Sequence, residues 1–172
     1  DRFEVFATVD GNPVTPDASI TTPTPPSRTA GAAAVTESNS VVFPALTTGE
    51  TFIMAGLTFT SGSSGTTAAQ LAAAFASITP GEGYATVNSN NALTPTAATV
   101  GAFTAGTVAG WSSGARTGST VVFTSSTAYT SVSDLASTGT RATAPTITKT
   151  EGVAASASMV FNALAAGQKL TM

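Results

Sequence analysis

Apolar and polar residues alternate along many short stretches of this chain, and Gly, Ser, Asn and Pro residues separate the stretches. Alternation predicts strands with one buried face, because successive side chains of a strand point to opposite sides of the sheet. Short strands at roughly ten-residue spacing, with little helix between them, predict an all-β fold and, within that class, an Ig-like β-sandwich with extended terminal strands. The predicted strands are residues 2–9, 41–45, 50–60, 84–88, 98–104, 107–111, 119–124, 131–135 and 145–150.

Two of the predicted strands contain a residue that interrupts regular pairing. Pro44 has no N–H to give to a neighbouring strand, which predicts that residues 41–45 lie at a sheet edge or a bulge. Ala55-Gly56 lies in the middle of residues 50–60, where a glycine indicates a bulge or a close approach of backbone. We therefore expect residues 50–60 to form one strand with an irregular centre.

One stretch follows the period of a helix instead. Thr66 or Thr67 is suited to cap its first turn, and Pro80-Gly81 ends it, which predicts a helix over about 68–79. A helix of about twelve residues is marginal on its own, so we expect it to pack on the sheet. The apolar stripe that it buries consists of Leu71, Ala74, Phe75 and Ile78.

The chain repeats part of itself. Residues 35–54 match residues 153–172 at 9 of 20 positions without a gap, at a spacing of 118 (153 − 35). A period of this size is about one domain long. We therefore predict a β-sandwich unit over 35–152, followed over 153–172 by a strand segment that copies the start of a unit. Residues 1–34 precede the unit as an N-terminal strand and a linker.

The linker is rich in proline between Thr21 and Ser27, which favours an extended polyproline conformation. An extended stretch over 15–34 would let residues 1–10 reach a surface away from the predicted sandwich. A short O-glycosylated stalk is the alternative interpretation.

Composition narrows the range of functions. Only 9% of the 172 residues are charged and 42% are hydrophobic, which is not the composition of a disordered chain. Six scattered basic residues and a net charge of −3 argue against nucleic-acid binding. The sequence has no apolar run of eighteen residues, so we expect no membrane span.

The chain contains neither His nor Cys. A Ser–His–Asp triad, a disulfide framework and a metal site of His or Cys ligands are therefore excluded. The nine carboxylates are dispersed along the sequence, and no glycine-rich phosphate loop is followed by a lysine. Lys149 and Lys169 leave a Ser–Lys or Thr nucleophile conceivable, but nothing in the sequence marks either lysine as buried. We expect a protein that is not an enzyme and that binds no cofactor.

Calcium is the cation for which the sequence offers ligands. Asp10, Asn12 and Asp17 carry side-chain oxygens, the ligand type that Ca²⁺ requires. The same residues also suit a turn held by side-chain hydrogen bonds to the backbone, which is the interpretation that we favour.

Three large aromatic residues raise the question of a carbohydrate site. Trp111, Tyr84 and Tyr129 can form a platform on which a sugar stacks. A single Trp next to Gly110 in an alternating strand is more typical of a sandwich core, and we favour burial. Arg116 is close enough in sequence to stack on the indole ring.

Several segments together resemble a known repeat. They are residues 55–60 (AGLTFT), 66–76 (TTAAQLAAAFA), 110–114 (GWSSG), 117–124 (TGSTVVFT) and 144–148 (APTIT). Over about 40–172 the chain resembles the Ala/Thr-rich β-domain repeats of large proteobacterial cell-surface proteins, of the S-layer-like and RTX-type adhesin kinds. The resemblance implies a secreted, non-enzymatic β-domain at the cell surface, arrayed in tandem and often with calcium. The glycine-rich nonapeptide of calcium-binding β-rolls is absent.

These observations favour an extracellular structural protein. We expect a subunit of a self-assembling filament, surface layer or matrix, which polymerises with itself by pairing or donating β-strands. An adhesin module that recognises a surface glycan or protein is the alternative, and a virion decoration protein is a third interpretation.

The predicted assembly residues are apolar side chains in the two terminal segments. The tail, residues 153–172, copies the first strands of the sandwich unit, but the chain has no second copy of the strands that pair with them there. Apolar side chains on the tail therefore favour docking on another subunit, which buries them. The tail can instead fold back as the last strand of its own domain. The residues are Phe3, Val5 and Val9 in the first segment, and Met159, Phe161, Leu164, Leu170 and Met172 in the tail.

Overall fold

The computed structural model describes residues 8–9, 12–13, 27–29, 31–93 and 97–160. The chain divides into a core unit, Gly31–Ser156, and a terminal unit made of Asp1–Ala30 with Ala157–Met172. The helices are α1 (Ala68–Ala74), α2 (Tyr84–Asn90) and α3 (Ala97–Val100). The strands are β1 (Thr8–Val9), β2 (Asn12–Pro13), β3 (Ser27–Thr29), β4 (Ser38–Val42), β5 (Thr51–Met54), β6 (Leu57–Ser61), β7 (Gly101–Gly106), β8 (Trp111–Ser113), β9 (Thr120–Ser125), β10 (Ser137–Thr138), β11 (Thr146–Thr150) and β12 (Ser158–Val160).

The core unit contains two antiparallel sheets of four strands. Their strand orders are β10-β5-β6-β7 and β11-β4-β9-β8. The mostly β architecture predicted from the alternating pattern is confirmed, and two such sheets are consistent with a β-sandwich. β9 and β11 lie close to the predicted stretches 119–124 and 145–150.

Both sheets contribute to one hydrophobic core. Along β9 and β5 every second side chain is buried, as the pleat of a strand requires. Phe43 lies between the sheets: its ring centroid is 5.4 Å from that of Phe52 on β5 and 6.4 Å from that of Phe123 on β9. Aromatic contacts at these separations hold the two inner faces together.

The predicted helix exists but ends early. Thr67 caps α1, because its hydroxyl accepts from the Gln70 N–H while the Gln70 side chain accepts from the Thr67 N–H. The helix ends at Ala74, five residues before the predicted end. Phe75 and Ile78 nevertheless stay buried, so the predicted apolar stripe reaches the core beyond the helical turns.

Residues 50–60 form two strands and not one irregular strand. Ala55 and Gly56 both have positive φ, 49° and 80°, and make the two-residue turn of the β5–β6 hairpin. These angles belong to a type I′ turn, whose twist suits a tight hairpin. A bulge does occur, one strand further on, where the β6–β7 register shifts between Thr58 and Phe59.

The predicted strand at 84–88 is wrong, because Tyr84–Asn90 is a helix, α2. Val87 is its buried residue, and Asn88 bonds with both backbone groups of Phe103, donating to O at 2.7 Å and accepting from N at 2.8 Å. An amide side chain therefore pairs with β7 in the way that a neighbouring strand otherwise does. The predicted strand 98–104 begins as α3 and becomes β7 only at Gly101.

Other boundaries also differ from prediction. β4 lies inside its sheet between β11 and β9, and Pro44 follows its end, so Pro44 marks neither an edge strand nor a bulge. In place of a strand over 107–111, Thr107 makes a single bridge to Gly83 and β8 starts at Trp111. The helices of the described residues have seven, seven and four residues and are too short to cross a membrane.

Candidate functional site

The first and last extended segments of the core unit meet as neighbouring strands. β11 pairs with β4 from Thr146–Val42 to Thr150–Ser38. Beyond the end of that ladder, Val35 and Val153 exchange two hydrogen bonds, Val35 N to Val153 O at 2.9 Å and Val153 N to Val35 O at 2.8 Å. These two valines are the first matched pair of the internal repeat.

β11 is an edge strand of its sheet. Ile147 and Lys149 are half-buried and its three threonines are exposed, in the alternation of a strand that covers a core on one face. An edge of this kind is a place where another strand can pair, unless charge or shape prevents it.

Charged side chains lie at one end of β11. The Lys149 Nζ atom is 2.5 Å from Asp134 Oδ1 and 2.6 Å from Glu151 Oε1, and the Ser131 hydroxyl donates to Glu151 Oε2 at 3.0 Å. The hydrogen bonds to Asp134 and then to Glu151 hold the pKa of Lys149 above its ordinary value. The bonds from Lys149 and then from Ser131 lower the pKa of Glu151. Lys149 and Glu151 therefore stay ionised near neutral pH, and a lysine on an edge disfavours indiscriminate strand addition.

Glu37 is the most unexpected residue of this region, because its side chain is fully buried just before β4. Its Oε2 accepts a hydrogen bond from the Val132 N–H at 2.9 Å, and its backbone O accepts from the Ser125 N–H at 2.9 Å. Oε1 is buried without a hydrogen-bond partner, as is Nδ2 of Asn39 on the same face. Glu37 thus holds the loop around Val132 against the start of the unit. The predicted strand 131–135 is wrong, because the backbone of this loop bonds to the Glu37 side chain and not to a neighbouring strand.

We expect Glu37→Ala to destabilise the protein by about 1–3 kcal/mol, because the partly buried Val132 N–H loses its acceptor. Glu37→Gln keeps an amide oxygen at the same place and should retain most of the stability. Urea unfolding of both variants, with hydrogen exchange at the Val132 amide, checks this. Equal stability of Glu37→Ala and the unsubstituted protein would contradict the role of Glu37 as a fastener.

In the terminal unit, β12 pairs antiparallel with β3, with Met159 opposite Arg28. Met159 is 48% exposed and Val160 is 57% exposed, although both are apolar side chains on a strand. β1 and β2 form a second short ladder, in which Val9 is opposite Asn12.

The predicted assembly residues are thus only partly covered by the structure. Met159 lies in β12 and Val9 in β1, on separate ladders. The other six assembly residues lie outside the described residues; they are Phe3, Val5, Phe161, Leu164, Leu170 and Met172. Asp10 and Asp17, two of the three candidate calcium ligands, also lie outside the described residues. Within the described residues, no group of three or more Asp, Glu, His or Cys side chains lies together.

The aromatic platform is not assembled in the core unit. Trp111 is buried, as favoured from the sequence, whereas Tyr84 and Tyr129 are exposed. Arg116 donates to the Gly118 carbonyl at 3.1 Å; the arginine found over an aromatic ring in the described residues is Arg141, 5.1 Å from the centre of the Phe52 ring. The structure therefore offers a sugar no stacking surface that includes Trp111.

A cleft of about 140 Å³ lies beside α1 and α2. Its polar lining includes Asn88, which bonds to Phe103, and Asn91, whose amide donates to the carbonyls of Ala74 and Ala76 at 2.9 and 2.6 Å. Both amides are occupied in holding the fold together. The cleft is small compared with typical ligand sites, and the strand edges remain the stronger candidate for function.

Comparison of the chain with protein-family models, with curated proteins and with solved structures finds no match to any of them.

Proposed function

We propose that this chain is an extracellular structural protein, a subunit of a self-assembling filament, surface layer or matrix that polymerises by pairing β-strands between subunits. The observation that carries the proposal is the exposure of β12. Its Met159 aligns with Val41 in the internal repeat, and Val41 is fully buried where Met159 is 48% exposed. An apolar strand with an uncovered face gains free energy when another subunit covers it.

The nature of the core unit supports the same proposal. The buried Glu37 and the half-buried Asn88 and Asn91 each bond to backbone groups of the fold. Its sheets suit a repeated structural domain, for which we propose the Ig-like arrangement. The cell surface is the location that fits this class of protein.

Removal of the tail tests the proposal. We expect the chain without Val153–Met172 to be a folded monomer, whereas the full chain forms polymers visible by negative-stain electron microscopy and sedimenting as large species. Head-to-tail contacts do not close on themselves, so losing one connector should abolish long assemblies.

A point variant with a matched control separates assembly from folding. Met159→Asp places a charge on the tail strand, and Val122→Asp places the same charge on β9 at a residue that is 47% exposed. We expect the first to weaken polymerisation and the second to leave it unchanged. If the shortened chain forms the same polymers as the full chain, the tail is not the connector and the proposal fails.

A further inference from the structure

The ladder between β12 and β3 repeats the ladder between β4 and β11. In the core unit, Ser40, Val41 and Val42 are opposite Thr148, Ile147 and Thr146. In the terminal unit, Ser158, Met159 and Val160 are opposite Thr29, Arg28 and Ser27. β12 corresponds to the last three residues of β4 at the repeat spacing of 118 (158 − 40). The three residues of β3 opposite β12 then correspond one to one to the three residues of β11 opposite that part of β4, at a spacing of 119 (146 − 27).

The sequence around β3 supports this correspondence. At the spacing of 119, Thr24, Pro26 and Thr29 are identical to Thr143, Pro145 and Thr148, and Ser27 aligns with Thr146, another hydroxyl residue. β3 therefore resembles the start of β11, the closing strand of the core unit, including the proline that precedes it. Residues 24–29 thus resemble the start of the closing strand of a unit, just as the tail resembles the beginning of a unit.

The two ladders are related through the Val35–Val153 pair. β3 and β4 lie before and after Val35 on one segment, and β11 and β12 lie before and after Val153 on the other. The spacing changes from 119 to 118 because five residues separate Thr29 from Val35, whereas four separate Thr148 from Val153. Each ladder thus pairs a strand of the type that ends the unit, β11 or β3, with a strand of the type that begins it, β4 or β12.

β4 pairs with β11 on one side, and β12, a β4-like strand, pairs in the same register with β3. β11 itself is occupied by β4, which is held on its other side by β9. β3 is the other β11-like strand that we find in the described residues. Since every copy of the chain carries one β3 and one β12, exchange of β12 between copies keeps all the pairings of this ladder while linking the copies.

We propose that β3 is an acceptor strand, which receives β12 of a second copy of this chain in the register in which β11 receives β4. This inference rests on the proposed function and names the two strands that carry it. Arg28 and Met159 become neighbours across the subunit boundary, and successive copies join head to tail.

Disulfide trapping tests the pairing, because the protein contains no Cys of its own. Arg28→Cys on one chain and Met159→Cys on a second, differently sized chain are mixed and oxidised. Directly opposite residues of an antiparallel ladder have Cα atoms about 4.5–5.5 Å apart, within the range of a disulfide. We expect a covalent heterodimer, at least tenfold more abundant than with Val160→Cys in place of Met159→Cys, because Val160 faces the other side of the strand.

A double variant of the core ladder calibrates the reaction. Ser40→Cys with Thr148→Cys joins two directly opposite residues of one chain and should form an intramolecular disulfide under the same conditions. With that reaction working, absence of the 28–159 heterodimer, or an equal yield with the off-register control, overturns the inference.

The outcomes also separate this inference from the proposed function. Polymers that form without the 28–159 heterodimer overturn the acceptor role of β3 and leave a polymerising structural protein. A specific heterodimer without long polymers supports the acceptor role and overturns the proposed function.

Discussion

Phe75→Ala should lower the stability of the protein by about 3–5 kcal/mol, the usual loss for a buried phenylalanine. The Phe75 ring is fully buried and lies 4.9 Å from the ring of Phe103, 5.3 Å from that of Phe43 and 5.6 Å from that of Phe52. It follows the end of α1 and contacts aromatic rings from different parts of the core. Its removal leaves a cavity that neighbouring side chains cannot refill without moving.

Thermal unfolding measures this effect. A loss of this size should lower Tm by roughly 6–20 °C for a chain of this length. Phe75→Leu keeps most of the apolar volume and should lose much less, whereas Tyr84→Ala, at an exposed aromatic position, should change Tm little. An unchanged Tm for Phe75→Ala would refute the central position of Phe75 in the core.

Gly56→Ala should be comparably damaging, by roughly 2–6 kcal/mol from backbone strain and steric overlap together. Gly56 has φ +80° at the hairpin turn, a conformation that an L side chain rarely adopts. A Cβ atom there would lie 2.3 Å from the backbone oxygen of Thr107, and backbone cannot move aside as a flexible side chain can. The turn between β5 and β6 therefore requires glycine for two separate reasons.

Gly49 provides a control that separates the two reasons. Its φ is +75°, nearly the same, but a Cβ atom would meet no atom within 4 Å. Gly49→Ala should therefore report the strain alone, about 1–2 kcal/mol. Urea unfolding of the two variants gives the difference, and equal losses would mean that Thr107 yields to the added methyl group.

Strong patterns in the sequence were sufficient for part of the fold. The alternation of Val121 and Phe123 predicts β9, and the spacing of Leu71, Phe75 and Ile78 predicts a buried helical stripe, because burial of one face dominates in both. α2 was missed since Tyr84 and Val87 have strand propensity. The contacts of Val87 and Asn88 with the rest of the fold override that preference.

Other features are invisible to patterns based on apolar residues. Glu37 and Asn39 share a buried face with Val41, but polar residues at alternate positions look like a solvent-exposed face. The one available signal was their position, four and two residues before Val41, which places all three side chains on the same face of a strand. β3 was missed because the prolines before Ser27 indicate an extended linker, and its likeness to β11 emerges only when the register of β12 is known.

The Val35–Val153 pair determines how the core unit responds to tension. The first and last segments of the unit extend from the same end of the β4–β11 ladder, where Val35 pairs with Val153. A force that separates Gly31 from Ser156 therefore acts across this ladder and not along it. The pairs then break one after another, from Val35–Val153 inward to Val42–Thr146, and each hydrogen bond contributes only about 0.5–1.5 kcal/mol net. Loaded in this direction, the unit peels open gradually and gains length at low force, so it acts as an extensible element and not as a rigid rod.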